Sequence, residues 1–144
     1  MTPSEKPKRN IQKKIILESV KLLGRPYKYG AKNEDTPNYF DCSLFVKYIF
    51  GKFGINLARS SNLQALCGKE VAVGNPELWE IGDLLFFKGH RPRTVILDNR
   101  ELLIGHVAIY IGNRHMTHCS SKRGVEIKPV PGTKHPVVLV KRII

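Results

Sequence analysis

Near residue 83 the spacing of apolar residues changes period. That change constrains the fold more than any other feature of this 144-residue chain. Upstream, Ile11, Ile15, Ile16, Val20, Leu22 and Leu23 recur at helical spacing, and Gly24 and Pro26 end the run. Residues 42–52 read as a second helix, with Asp41 as N-cap and Gly51 or Gly54 as its stop. A shorter helix is expected over 61–67. Downstream, the segments 84–88, 93–97, 102–111, 114–120, 125–130 and 137–141 are short and β-rich, with Gly, Pro or Asn between them. Helices followed by a run of antiparallel strands imply an α+β fold. Residues 1–10, with Pro3 and Pro7, read as a mobile basic tail, which leaves 11–144 as a single domain. Residues 24–40 are rich in turn formers and read as a long irregular loop of the kind that often carries function.

A chain of this length buries roughly two-thirds of its unfolded surface, so it needs neither a disulfide nor a structural metal. Its three cysteines are widely spaced and contain no CxxC pair, which excludes a disulfide framework and a zinc ribbon. No metal or cofactor is expected. The longest nearly uncharged apolar stretch, 102–112, is too short to span a membrane. The run Ile15-Ile16-Leu17 is cut by Glu18, so no signal peptide is readable. As written, the chain is cytoplasmic, or reaches the cell envelope by a route the sequence does not display. The formal net charge is +12, and residues 1–32 hold nine basic and two acidic residues, so +7 lies there. Such a segment attracts a polyanion, whether nucleic acid, anionic lipid or anionic wall polymer. A basic surface that only keeps the chain soluble is the simpler reading.

Three residues invite a chemical reading. Cys42 opens the second helix, where unpaired N–H groups and the helix dipole favour a thiolate, while the adjacent carboxylate of Asp41 opposes it. A buried, inert cysteine is an equal alternative. His106 and His118 flank the turn signal Gly112-Asn113. With a three-residue loop over 111–113, Tyr110 faces Arg114 and His106 lies directly opposite His118, with Cβ atoms about 5 Å apart. One ring could then orient the other, as a nucleophile–base–orienter arrangement requires. A two-residue loop would put the rings on opposite faces. His90, His115 and His135 have no partner by spacing. Cys119 should face the core, and Trp79 and Tyr110 read as packing residues.

The blocks Arg25-Pro26-Tyr27-Lys28-Tyr29-Gly30, Phe40-Asp41-Cys42-Ser43, Ala58-Arg59-Ser60-Ser61, residues 81–87, residues 105–112 and Met116-Thr117-His118 occur in this order. Together they resemble the NlpC-type cell-wall endopeptidases, papain-like cysteine peptidases of bacteria. The resemblance spans residue 11 to the C-terminus. It implies a papain-like fold of N-terminal helices on an antiparallel sheet. It implies Cys42 as nucleophile, His106 as general base and His118 as the residue that orients it. Tyr27 would line the site near the oxyanion, with the Cys42 backbone N–H as a donor. Asp41, Ser43, Arg59, Ser60 and Ser61 would contact substrate, although Arg59-Ser60-Ser61 also reads as a helix cap. The implied substrate is a peptidoglycan stem peptide, cut between the side chain of D-glutamate and the diamino acid through a thioester. The basic N-terminal segment would tether the chain to anionic wall polymer.

The chain departs from the family pattern at Leu44, where Gly is usual, and at Ala31, where a second Gly is usual. The loop from Tyr27 to Cys42 is long, and residues 88–105 look like an expansion carrying His90, Arg91, Arg93 and Arg100. Two other classes stay open. One is a thiol amidase or lipid acyltransferase of the same superfamily. The other is a non-enzymatic basic module; no nucleic-acid motif is present to support it.

Overall fold

The computed structural model describes residues 5–144. Helix α1 (Glu5–Lys21) lies against α2 (Cys42–Gly51); α3 (Ser61–Gln64) is one turn long. Eight strands follow: β1 (Lys69–Val71), β2 (Leu84–Phe87), β3 (Arg93–Leu97), β4 (Arg100–Ile104), β5 (His106–Gly112), β6 (His115–Ser120), β7 (Gly124–Pro129) and β8 (Leu139–Arg142). Six of them form an antiparallel sheet in the order β1-β8-β2-β5-β6-β7, and β3 and β4 form a separate hairpin.

Helix α1 begins at Glu5, so the reading of 1–10 as a tail is corrected over residues 5–10; residues 1–4 lie outside the described part. Pro7 permits this because it stands in the first turn, where N–H groups need no helical partner. Lys8 bridges Glu80 at 3.1 Å and Gln12 donates to the Ile81 carbonyl, so this turn is anchored to the body. The inner face of α1 buries Ile15 and Ser19.

Helix α2 reads CSLFVKYIFG, and Leu44, Phe45, Val46, Ile49 and Phe50 are fully or almost fully buried. Asp41 caps it by accepting from the Leu44 N–H at 2.8 Å, a bond worth about 1 kcal/mol. The apolar residues of α2 pack on one face of the sheet with Leu84, Phe86, Val107, Ile109, Cys119 and Leu139. The opposite face buries Leu85, Phe87, Ala108, Tyr110, Met116 and Val140 beneath Trp79. All four residues of β2 are therefore apolar, because both faces of the central strand are covered. Trp79 stacks edge-on against Tyr110 and donates to the Ala72 carbonyl, so both aromatics serve packing.

The segment expected as one strand over 102–111 is broken at Gly105. A Cβ there would lie 2.6 Å from the Lys88 carbonyl oxygen and 2.9 Å from the Arg91 backbone. This close approach turns 93–104 away as its own hairpin, closed by Asp98 and Asn99 at positive φ. Strand β1, outside the expected set, pairs with the C-terminal strand from Lys69↔Arg142 to Val71↔Val140. Helix α3 ends at Gln64, three residues short of the expected stop.

Candidate active site

The hairpin β5–β6 decides where the two histidines meet. Gly112 pairs with His115, which makes Asn113 and Arg114 a two-residue turn with φ of 51° and 58°. The register then shifts between Tyr110 and Gly112, so that Tyr110 pairs with Met116 and Ile109 with Thr117. The three-residue loop and the Tyr110–Arg114 pairing are thus corrected. A two-residue turn alone would have set the rings on opposite faces. The bulge inserts one residue and returns them to the same face. Continuing this register puts Ser120 opposite His106, so His118 is its diagonal neighbour. The rings meet edge to face, with His106 Nε2 2.7 Å from His118 Nδ1.

On the next strand Glu126 pairs directly with His118. Its Oε2 lies 2.9 Å from His118 Nε2. His106 is half-buried and His118 buried. Burial pushes the His106 pKa down to about 3, with His118, His90 and Lys128 adding to the effect. Burial also lowers His118, against the pull of Glu126.

Cys42 sits at the start of α2, half-buried, where the backbone N–H groups of Val107, Ser43 and Cys42 itself favour its thiolate. Burial outweighs them and, with the Asp41 carboxylate, pushes the thiol up to about 11. The helix-terminus argument of the sequence therefore has the right sign but the smaller magnitude. Val107 directly follows His106, so its N–H places Cys42 beside the strand that carries His106. Tyr27 bridges to Phe40, which sets it beside Asp41 and Cys42. Burial, then the Cys42 and Asp41 charges, raise its hydroxyl to about 12.

Asp41, Ser43 and Arg59 form one cluster. The Arg59 guanidinium donates to both Asp41 carboxylate oxygens at 3.2 and 2.7 Å, to Ser43 Oγ at 2.9 Å and to the Ala31 carbonyl at 2.6 Å. It therefore ties α2 to the loop that carries Tyr27. Ser61 is buried, and Ser60 occupies the N-cap position of α3 without a side-chain cap bond. Gln64, which no sequence motif marked, is fully buried and donates to the Ser43 and Ala58 carbonyls. Cys119 is buried and its Sγ donates to the Phe40 carbonyl; Cys67 is half-buried and its Sγ approaches the Leu63 carbonyl. From the 88–105 expansion, Arg91 stacks on Tyr29 at 4.0 Å, which joins that expansion to the Tyr27 loop. Among the described residues no group of three or more His, Cys, Asp and Glu is placed to hold a metal ion.

The NlpC/P60 family model matches residues 24–141. The chain belongs to that family. It is 38% identical over 114 residues to the gamma-DL-glutamyl hydrolase of Bacillus subtilis, covering 78% of this chain and 24% of that one. It is 34% identical over 110 residues to the peptidoglycan DL-endopeptidase CwlO of Bacillus licheniformis, covering 74% and 22%. Among solved structures, an NlpC/P60 family protein from Bacillus cereus superposes with a TM-score of 0.73 at 30% identity, covering 92% of this chain and 40% of that one. The fold is thus the α+β, papain-like fold of this family. The chain spans about a quarter of the length of these curated relatives.

Proposed function

We propose that this chain is a thiol endopeptidase that hydrolyses peptidoglycan stem peptides. The observation that carries the proposal is the 2.7 Å contact between His106 and His118 on the strand pair that faces the Cys42 helix terminus. His106 takes the proton of Cys42, and the sulfur attacks the scissile carbonyl. The developing oxyanion is met by the Cys42 backbone N–H and the Tyr27 hydroxyl. Protonated His106 gives its proton to the leaving amine, and a thioester remains. Water, deprotonated by His106, then releases the acid. His118 holds the base in place. Arg59, Asp41 and Ser43, with Ser60 and Ser61 on the following turn, form the polar wall on which the stem peptide rests.

The bond is the one between the D-glutamate side chain and the diamino acid. Two of the similar proteins, a gamma-DL-glutamyl hydrolase and a DL-endopeptidase, support this choice. The test is digestion of purified muropeptides of known composition, followed by mass spectrometry. Cleavage at that bond, absent in Cys42→Ala, supports the proposal. Cleavage elsewhere moves the specificity, and acyl transfer to a phospholipid or no turnover overturns it.

The same proposal gives the basic N-terminal helix a role as an electrostatic tether to anionic wall polymer. Lys6, Arg9, Lys13, Lys14 and Lys21 are all exposed on α1. Exposed charges are screened beyond about 8 Å at physiological salt, so the tether weakens as salt rises. Neutralising Lys6, Arg9, Lys13 and Lys14 to Gln should weaken binding to intact walls at low salt and leave turnover of a small soluble muropeptide unchanged. Substitution is preferred to deletion, because residues 5–10 belong to α1. Wall binding that survives neutralisation at low salt removes the tether.

A further inference from the structure

We propose that Glu126 sets the tautomers of both imidazoles, and so makes Nδ1 of His106 the atom that receives the Cys42 proton. This rests on the peptidase reading of the site. A carboxylate only accepts hydrogen bonds, so His118 Nε2, 2.9 Å from Glu126 Oε2, carries the ring proton. Neutral His118 then presents a bare Nδ1. That nitrogen lies 2.7 Å from His106 Nε2, which must therefore donate. Neutral His106 is left with a bare Nδ1, its one ring nitrogen outside the relay.

The proton count balances without any transfer along the chain. When Nδ1 takes the Cys42 proton, His106 becomes an imidazolium that still donates from Nε2. His118 still donates to Glu126, whose negative charge offsets the positive one at the far end. Glu126 is thus a positioning residue that acts through two rings. Its place is fixed by strand pairing, since it stands directly opposite His118 on β7. Other groups face the two rings: Lys128 from β7 acts on both and His90 from the loop after β2 acts on His106, and each disfavours the imidazolium.

Without the carboxylate the order of donors can reverse. An amide at position 126 can turn either its oxygen or its NH2 group to His118 Nε2. In the second case His118 donates from Nδ1, His106 accepts at Nε2, and the proton moves to Nδ1 of His106, where it blocks the base. Glu126→Gln should therefore lower kcat by about 10- to 100-fold, the range seen when an orienting partner is lost, with KM unchanged. The acid limb of its pH–rate profile should move to lower pH, because a negative charge that favoured the imidazolium is gone. Glu126→Asp, which keeps the charge, should recover most of the rate.

Nitrogen-15 NMR of the wild-type protein gives a reading independent of any variant. The expected state is a proton on Nε2 of both rings and none on Nδ1. A proton on Nδ1 of His106, or a Glu126→Gln enzyme with wild-type kcat and pH profile, overturns the proposal. If the wild type cleaves no muropeptide, the peptidase reading fails, and the NMR spectrum together with iodoacetamide alkylation of Cys42 still decides this one. Should Glu126→Gln not fold, Glu126→Asp and the wild-type spectrum decide it.

Discussion

Cys42→Ala should abolish muropeptide hydrolysis, a loss on the order of 10^4- to 10^6-fold, while Cys67→Ala leaves it intact. Cys42 is the thiol at a helix N-terminus beside the strand that bears His106, whereas Cys67 lies on the turn after α3 and approaches the Leu63 carbonyl. Cys119→Ala tests the distinction more sharply. Its sulfur is buried close to Cys42, yet it donates to the Phe40 carbonyl and packs in the core. It should lose some stability and keep turnover. Alkylation provides a second measure. With the thiol raised to about 11 and His106 lowered to about 3, the resting pair at neutral pH is thiol and imidazole, not thiolate and imidazolium. Inactivation by iodoacetamide should therefore climb steadily above neutral pH, with no reactive plateau starting near pH 4. A plateau there would mean that the ion pair forms in the free protein. Equal labelling of all three cysteines, with activity retained, would remove Cys42 as nucleophile.

The sequence displayed Cys42, its Asp41 cap and the helix behind them, because a cap followed by an apolar run is a local signal. It also displayed both histidines on one hairpin, but their contact rests on an error that cancels. The turn is shorter than expected by one residue, and the bulge between Tyr110 and Gly112 restores the count. The one cue for this bulge is Gly112, whose φ of 90° suits glycine, and a single glycine does not say whether it belongs to the turn or to a bulge before it. Glu126 and Gln64 were missed because their roles depend on partners across strands or between helices. The pairing of His118 with Glu126 follows from a turn between Ser120 and Gly124 that one sequence does not number unambiguously. Gly124 itself is explained only in three dimensions: with φ of 72°, its missing Cβ leaves room for the Arg25 carbonyl, 2.2 Å from where that atom would stand. The N-terminal boundary failed for a different reason. Residues 1–10 carry two prolines and little that is apolar, which suggests a tail, yet Pro7 in a first turn is compatible with a helix.

Acid should destabilise the folded protein well before its carboxylates protonate, and His106 is the reason. In the unfolded chain its ring gains a proton near pH 6.5; in the folded protein burial, His118, His90 and Lys128 hold that step down to about 3. Above 6.5 both states are neutral and the residue has no effect on stability. Between 6.5 and 3 the unfolded state binds a proton that the folded state refuses, so stability falls as pH falls through that window. Between pH 8 and pH 4 the loss should amount to about 3 kcal/mol. His118, lowered in the same direction, adds to it. Asp35, whose carboxyl the Lys32 N–H and the Lys28 ammonium hold below the ordinary 3.8, acts in the same direction, but chiefly below pH 3.8 and equally in the wild type and the variant. Urea unfolding at pH 8 and pH 4, on the wild type and on His106→Asn, reads the effect. The wild type should lose midpoint and extrapolated stability at pH 4, and His106→Asn should lose distinctly less. Equal losses in both would assign the acid sensitivity to other groups, and a wild type as stable at pH 4 as at pH 8 would mean that His106 accepts its proton in the folded state.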